Sequence, residues 1–263
     1  TEAYNTTNVA TEVVNALNIT GNTEKVLITG GSLSASDVNT ISAATTGVVT
    51  AIVTAASAST LASALTNTDT NDVLTITVNA ETGGVATSAS DLVSLNGDTN
   101  QVITMSAVTS VSGTYSDLND IYVTNAAQYN GEGDEAVTIT GTVSATQADT
   151  IADATSGIVT ATVAADSASA LNSALEDSGS QVNAYSLTIS GTTVSASDLI
   201  TLDSTTSVAT DTNTNITTIT GSAAELKTVL ESTGINTAAN VNIEITGTTA
   251  ATLAQLKAIN DAT

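Results

Sequence analysis

The sequence contains no cysteine, histidine, proline, phenylalanine or tryptophan, and its 263 residues include one methionine and five tyrosines. Without cysteine the chain forms neither disulfides nor thiolate metal sites, and without histidine it lacks the most common catalytic base and transition-metal ligand. Large aromatic side chains fill the centres of globular cores, so their scarcity excludes a thick core of the usual kind. Small aliphatic residues make up most of the 41% apolar fraction, which predicts a thin interior built from layers that contact only their neighbours.

Positive charge is also scarce, because only Lys25, Lys227 and Lys257 stand against 26 acidic residues and the formal net charge is −23. Such a surface repels phosphate backbones and anionic lipid head groups, so we expect no nucleic-acid partner. We also expect no membrane insertion, since no segment reaches the roughly 18 uninterrupted apolar residues that a spanning helix needs. Cations, including divalent ions, are the partners that this charge favours, and dense packing of copies would require salt or divalent ions to screen their repulsion.

The strongest signal in the sequence is an internal repeat. Residues 34–53 recur as residues 144–163, a shift of 144 − 34 = 110 positions. Duplication of a long unit is typical of solenoid proteins, which are built for surface and length rather than around a buried reaction centre. We therefore predict a single repeat domain over residues 1–263, with two long repeats of about 110 residues and a partial third.

A shorter period lies within the long one. Nine runs of strand-type residues recur at spacings of roughly 22 to 36 residues, close to the period of leucine-rich repeats. Between them, apolar residues three or four positions apart predict nine short helices. The strand runs are residues 26–29, 48–53, 73–78, 102–105, 136–140, 158–163, 185–189, 216–220 and 241–246. The helical pairs are Val38/Ile41, Leu61/Leu65, Leu92/Leu95, Leu118/Ile121, Ala148/Ile151, Leu171/Leu175, Leu199/Leu202, Leu226/Leu230 and Leu253/Leu256.

Strands that alternate with helices imply parallel strands joined by right-handed crossovers. Connections of about twenty residues are too short for a doubly wound sheet with long helices, so each turn of the chain is expected to hold one strand and one short helix. The predicted fold is therefore α/β: a right-handed βα-solenoid, similar to leucine-rich-repeat proteins, with a continuous parallel sheet on one side.

Six of the predicted helices begin with a hydroxyl residue three positions before an acceptor side chain. The hydroxyl satisfies a backbone N–H at the start of the helix, and an acidic acceptor lies near the positive end of the helix dipole. Much of the negative charge is therefore expected to have a structural role. The pairs are Ser34/Asp37, Ser88/Asp91, Thr114/Asp117, Ser144/Gln147, Ser195/Asp198 and Ser222/Glu225.

Alternation within the predicted strands places apolar residues inside and threonines outside, which predicts a threonine ladder on the outer sheet face. Regularly spaced hydroxyl and methyl groups suit an adhesive or ice-binding surface. Threonine also favours exposed strand positions without any binding role. The candidate binding residues are Thr75, Thr77, Thr138, Thr140, Thr160, Thr162, Thr188, Thr218 and Thr220.

Acidic loops connect several predicted helices to the strands that follow. Residues 130–135, with the sequence Asn-Gly-Glu-Gly-Asp-Glu, are the best candidate for a metal site, because carboxylates and carbonyls brought together by glycine turns suit calcium. The alternative is a solvated acidic turn. Calcium is the candidate cofactor, and the candidate ligands are Asp69, Asp72, Asp98, Glu132, Asp134, Glu135 and Asp211.

Two segments carry a resemblance to a known group of proteins. Residues 137–157 read VTITGTVSATQADTIADATSG, and residues 252–263 read TLAQLKAINDAT. Both resemble the degenerate repeats of very large secreted bacterial surface proteins of marine and cyanobacterial type, which are often joined to RTX or S-layer modules. The resemblance implies an extracellular, cell-surface location in a surface layer, sheath, filament or adhesin that commonly depends on calcium. The start at Thr1 fits a processed, secreted protein or a fragment of a longer one.

The first functional hypothesis is an extracellular structural protein that forms a surface layer, sheath or filament by head-to-tail or lateral self-assembly. The last predicted helix is as apolar as the internal ones, and uncapped solenoid ends favour stacking that does not close on itself. The alternative hypothesis is an adhesin or ice-binding solenoid that uses the threonine face. We predict no enzymatic activity, because glycan-cleaving solenoids gather catalytic side chains and aromatic platforms that this composition does not supply.

Overall fold

The computed structural model describes residues 2–5, 13–14, 22–175, 182–212 and 215–263. The chain forms two compact units, Thr1–Ala136 and Val137–Thr263, called unit 1 and unit 2 below. Both units are mixed α/β, with short helices and small sheets in which every described strand pair is parallel. The first copy of the repeated segment, residues 34–53, lies in unit 1, and the second copy, residues 144–163, lies in unit 2.

The described part of the chain contains nine α-helices of five to ten residues, at the nine positions that the apolar spacing predicts. Each begins after a serine or threonine whose hydroxyl accepts a backbone N–H near the start of the helix, which explains why such short helices form. In unit 1 they are α1 (Ala35–Ala44), α2 (Ala58–Ala64), α3 (Ala89–Asn96) and α4 (Tyr115–Asn119). In unit 2 they are α5 (Ala145–Ala154), α6 (Ala168–Ala174), α7 (Ala196–Thr205), α8 (Ala223–Glu231) and α9 (Leu253–Ala262).

The strands of unit 1 pair in small parallel sheets. They are β1 (Glu2–Asn5), β2 (Val26–Leu33), β3 (Val49–Val53), β4 (Ala56–Ser57), β5 (Val73–Thr75), β6 (Val78–Asn79), β7 (Thr87–Ser88), β8 (Ile103–Thr104), β9 (Ser110–Gly113) and β10 (Tyr129–Asn130). The largest sheet has the order β1-β2-β3-β5. The remaining pairs within this unit are β4 with β6, β7 with β9, and β8 with β10.

Unit 2 repeats this plan. Its strands are β11 (Ala136–Val143), β12 (Val159–Val163), β13 (Ala184–Ser186), β14 (Thr193–Ser195), β15 (Thr210–Asp211), β16 (Thr218–Gly221), β17 (Ile235–Asn236) and β18 (Asn242–Ile245). β11, β12 and β13 pair in sequence order, β16 lies between β14 and β18, and β15 pairs with β17.

The long repeat is visible in detail when the first strands of the two units are compared. β2 and β11 both contain eight residues, and both pair with the next strand in a register that shifts part-way along, after Leu27 and after Thr138. Glycines with positive φ lie at each shift, including Gly141 at 79°, a conformation that other residues rarely adopt. The sequence duplication therefore encodes a duplicated local structure.

Strand alternation places aliphatic side chains in a thin core. In β12, Val159, Ala161 and Val163 are buried while Thr160 and Thr162 are exposed. Facing helices contribute residues such as Ile151, which is fully buried. Aliphatic side chains thus fill most of the core, and Tyr122, Tyr129 and Tyr185 are buried among them.

The mixed α/β class, the parallel strands and the short helices are confirmed, whereas the prediction of one continuous parallel sheet is wrong. The strands form several small sheets. The predicted run 73–78 is split into β5 and β6, and two-residue strands such as β4 and β7 have no counterpart among the predicted runs.

Candidate functional site

The loop that was the best calcium candidate directs its last carboxylate inward. Glu135 is 1% exposed, and its Oε2 atom accepts hydrogen bonds from the Tyr122 hydroxyl at 3.2 Å and from the Gly133 amide at 2.8 Å. Burial raises the pKa of Glu135, and these two donors oppose that effect. Glu132 is half-buried and Asp134 is exposed. Glu135 therefore has a structural role inside unit 1.

A second group of predicted ligands is divided between the interior and the surface. Asp72 is buried, and its Oδ1 accepts the Val49 amide at 2.7 Å, whereas Asp69 is exposed and its Oδ1 accepts the Asn71 amide at 2.7 Å. Asp98 is also buried, and its Oδ1 accepts the Thr68 hydroxyl at 2.8 Å. Its Oδ2 is buried without a hydrogen-bond partner in the described part of the chain.

Burial changes the acidity of both interior carboxyls. Loss of hydration raises the pKa of Asp98 to about 6, the negative charge of Asp72 adds to the rise, and the Thr68 hydrogen bond opposes it. Burial likewise raises the pKa of Asp72, against hydrogen bonds from the Val49 and Asp69 amides. The charge of Asp72 thus contributes to the raised pKa of Asp98 inside unit 1.

These residues do not form a ready calcium shell. Among the residues that the structure describes, no three acidic, histidine or cysteine side chains come together closely enough to hold a metal ion. The oxygens of Asp72 and Glu135 accept hydrogen bonds from the protein itself, and Asp211 is exposed in unit 2. Calcium binding stays a prediction without a converging ligand set.

The predicted threonine positions face outward or lie half-buried. Exposed positions are Thr75, Thr138, Thr140, Thr160, Thr162 and Thr188, and half-buried positions are Thr77, Thr218 and Thr220. In unit 2, Thr138 pairs with Thr160, and Thr142 pairs with Thr162. The next strand places Ala184 and Ser186 in these two rows. The outer face is therefore a mixed polar surface with short threonine rungs.

The corresponding face of unit 1 is still less regular. Its outer row runs from Ser32 to Ile52 to Thr75, and Ile52 is 51% exposed. Thr77 forms an isolated bridge with Thr104. A uniform array of threonines, which an ice-binding surface would need, is not formed by these rows.

Buried threonines are functional elements of the fold that the sequence analysis missed. Thr99 and Thr206 each follow a helix, and each hydroxyl connects to the backbone of the preceding strand layer. These threonines also form a local hydrogen bond that a sequence pattern could reveal. The Thr155 hydroxyl accepts the Gly157 amide at 3.0 Å, and the Thr206 hydroxyl accepts the Val208 amide at 3.1 Å. A threonine or serine just after a predicted helix marks this bond.

The last layer of unit 2 exposes apolar side chains. Leu253 is 84% exposed, Leu256 is 42% exposed, and Ile245 at the end of β18 is 43% exposed. Lys257 on the same helix forms an ion pair with Asp261 at 2.5 Å, and Lys227 on α8 pairs in the same way with Glu231. These two ion pairs line a shallow groove between α8 and α9. The surface formed by Ile245, Leu253 and Leu256 is called the terminal apolar surface below.

Comparisons with protein-family models, with curated proteins and with solved structures find no match to this chain. No helix in the described ranges is both long enough and apolar enough to cross a membrane.

Proposed function

We propose that this chain is an extracellular structural protein that assembles with copies of itself into a surface layer, sheath or filament. In this proposal its βα repeats continue as one right-handed solenoid, and the copies join head to tail. The repeat resemblance to secreted surface proteins supports the location. The terminal apolar surface supports the assembly, and it is the observation that carries the proposal.

Corresponding positions in α8 and α9 differ in exposure. Leu226 of α8 is fully buried, whereas Leu256 at the matching position of α9 is 42% exposed. Leu253 is 84% exposed where α8 has the buried Ala223. α9 packs against α8, where Ala223 and Leu226 are buried. A further helix of the same kind would cover the apolar face of α9 in the same way. Full burial of a leucine side chain is worth about 1.5 to 3 kcal/mol relative to exposure.

The edge of β18 supports the same partner. β18 pairs with β16 through four residues, and its other edge has no strand partner within the described ranges. An exposed strand edge is a template for pairing with another chain. A second copy that adds a parallel strand and a helix would continue both the β14-β16-β18 sheet and the α8-α9 packing. The partner we propose is therefore a second copy of this chain.

The net charge of −23 sets a condition for this assembly. Like-charged copies repel each other over about 30 Å at 0.01 M salt, but over only about 3 Å at 1 M salt. Lys227 neutralises the charge of Glu231, and Lys257 neutralises the charge of Asp261, on the two helices next to the proposed contact. Assembly is thus expected to increase with ionic strength, unlike association driven by opposite charges.

The test is sedimentation velocity with electron microscopy across a salt series from about 0.01 to about 1 M. The unmodified chain is expected to form linear assemblies at high salt, and Leu256→Asp is expected to remain monomeric. The matched control is Val85→Asp, which adds the same charge at an apolar side chain that is 65% exposed in unit 1. The proposal fails if the chain stays monomeric throughout, or if Leu256→Asp and Val85→Asp assemble equally.

Binding through the threonine face is a second candidate, as an adhesin or an ice-binding surface. The exposed pair of Thr138 and Thr160 favours it, because adjacent hydroxyl and methyl groups there face solvent. Its residues lie on the sheet face, separate from the terminal apolar surface. Variants at the two places therefore distinguish the candidates.

A further inference from the structure

The sequence contains two Asn-Gly dipeptides, Asn96–Gly97 and Asn130–Gly131. In such a dipeptide the glycine nitrogen can attack the side-chain carbonyl carbon of the asparagine, because glycine has no side chain that obstructs the approach. The structure places the two dipeptides in different surroundings, one at the end of a helix and one in a turn. These surroundings decide which dipeptide reacts.

Asn96–Gly97 is held by the end of a helix. Asn96 is the half-buried last residue of α3, and the Gly97 amide donates to the carbonyl oxygens of Ser94 at 2.9 Å and Val93 at 3.3 Å. The nitrogen that would attack the side chain is thus engaged in hydrogen bonds. The reaction at Asn96 therefore requires the last turn of the helix to open first.

Asn130–Gly131 lacks this restraint. Asn130 is the exposed last residue of β10, and Gly131 begins the turn that follows, with a φ of 87°. Among the residues that the structure describes, none forms a hydrogen bond with the Asn130 side chain or accepts one from the Gly131 amide. The two reacting groups can therefore meet without the loss of a hydrogen bond made by either of them.

The fold requires glycine at the second position of this dipeptide. A Cβ atom on Gly131 would lie 2.7 Å from the Cα atom of Ser106, and residues other than glycine rarely adopt its positive φ. A bulkier residue, which would slow the attack, is thus excluded by the packing of the turn. The exposed Asn130 side chain has no comparable packing role.

We propose that Asn130 is a site of spontaneous deamidation and isomerisation in the folded protein. The Gly131 nitrogen bonds to the side-chain carbonyl carbon of Asn130, the bond from that carbon to its amide nitrogen breaks, and ammonia leaves with the proton of the Gly131 nitrogen. Water then hydrolyses the cyclic imide at either carbonyl and leaves aspartate or isoaspartate. Water is the co-reactant, and nothing is oxidised or reduced. The proposal does not depend on self-assembly.

The two products differ in their effect on β10. Aspartate keeps the main chain intact and adds one negative charge to the loop. Isoaspartate carries the main chain through the side-chain carbon, so the original Asn130 carbonyl becomes a carboxylate branch. That carbonyl accepts the Met105 amide at 2.9 Å beside the β8–β10 pair. Isoaspartate is therefore expected to open this strand pair locally.

The test is incubation of the folded full chain at neutral pH in water labelled with heavy oxygen, followed by digestion in ordinary water and mass spectrometry. Each modified asparagine gains one labelled oxygen atom, so Asn130 and Asn96 are compared in the same sample. Asn130 is expected to react at least about tenfold faster, the factor for a hydrogen bond that must first open at Gly97. In urea the two rates should become similar, because both sites then present only the Asn-Gly sequence.

Variants separate the two sites. Asn130→Gln should abolish the modification at this position, because its longer side chain would have to close a larger ring. Asn96→Gln is the matched control and should leave the Asn130 rate unchanged. Hydrogen exchange at the Met105 amide provides a second measurement. It should become faster as the unmodified chain ages, and it should stay slow in Asn130→Gln and in freshly prepared Asn130→Asp, which keeps the original main chain.

Three results would overturn the proposal. The first is an Asn130 that stays unmodified in the folded chain but reacts in urea, which would show that β10 protects it. The second is equal modification of Asn96 and Asn130 in the folded chain, which would show that the helix end gives no protection. The third is unchanged exchange at Met105 in chains that contain isoaspartate, which would contradict the opening of the β8–β10 pair.

Discussion

The Thr206 hydroxyl accepts the amide proton of Tyr185 at 2.9 Å and donates to the carbonyl oxygen of the same residue at 2.8 Å. Thr99 forms the equivalent bridge to Leu74 in unit 1, with both distances at 2.9 Å. Each threonine satisfies both backbone groups of a residue in an adjacent layer. Since buried backbone groups without partners are costly, these bridges contribute directly to the stacking of layers.

Replacement of Thr206 by valine tests this contribution. Thr206→Val keeps the shape but removes the two hydrogen bonds that join the Thr206 hydroxyl to the Tyr185 amide and carbonyl, so a loss of about 1 to 3 kcal/mol in unfolding free energy is expected. Thr206→Ser retains the hydroxyl and should lose less. The measurement is urea unfolding together with hydrogen exchange at the Tyr185 amide.

The control for Thr206→Val is Thr138→Val, the same change at an exposed strand position. It should alter the unfolding free energy by no more than about 0.5 kcal/mol. Equal effects of the two substitutions would show that the buried bridge has no special contribution.

The Tyr122 hydroxyl is expected to stabilise unit 1 most strongly while Glu135 is ionised. Burial and the neighbouring negative charge of Glu135 raise the pKa of Tyr122 well above its usual value, so its hydroxyl remains a donor. Tyr122→Phe removes a hydrogen bond to the carboxylate and raises the pKa of Glu135 further. The expected loss is about 1.5 to 3 kcal/mol at neutral pH, because the acceptor is charged.

The stability loss caused by Tyr122→Phe is expected to grow as the pH rises. A raised pKa in the folded state means stability that is lost as the pH rises, so Tyr122→Phe should be most harmful above the pKa of Glu135 and least harmful in acid. Urea unfolding at several pH values measures this difference. Tyr115→Phe, which removes a hydroxyl bonded to Asn119, is the control and should show no such trend. A loss from Tyr122→Phe that is independent of pH would contradict the assignment.

The start of α5 provides a test of helix capping. The Ser144 hydroxyl accepts the Gln147 amide at 3.1 Å, and the Gln147 side chain accepts the Ser144 amide at 3.0 Å. Ser144→Ala is expected to lower the unfolding free energy by about 1 kcal/mol, measured by urea unfolding. Thr146→Ala, an exposed change within the same helix, should be neutral within about 0.5 kcal/mol. A larger effect at Thr146 than at Ser144 would contradict the capping role.

Helix positions were predictable because their signals are local. Ser144 and Gln147 are three residues apart, and the apolar pair Ala148/Ile151 follows within the same two turns, so one short window contains all the information. Two-residue strands such as Ala56–Ser57 offer no alternation to detect. They form because a neighbouring strand, Val78–Asn79, supplies hydrogen-bond partners from a distant part of the sequence.

The contrast between local signals and distant contacts also explains why the burial of the acidic residues was not predictable. Asp69 and Asp72 lie in one loop and share one composition, yet Asp69 is exposed while Asp72 is buried against the Val49 amide. Only the packing of a strand more than twenty residues away separates them. The threonines illustrate the same limit, because alternation identified the exposed Thr160, whereas the buried Thr206 depends on a contact with another layer.

Substitution on the threonine face distinguishes the two functional candidates. Thr138→Lys/Thr160→Lys places two long charged side chains at an exposed rung of the β11–β12 pair. If copies join through the terminal apolar surface, this variant should assemble at least as well as the unmodified chain, because it also lowers the net negative charge. The salt series with sedimentation and electron microscopy measures assembly, and urea unfolding establishes that the fold is retained. Loss of assembly in this variant, with normal assembly in Leu256→Asp, would show that copies join through the sheet face of unit 2 and not through the terminal apolar surface.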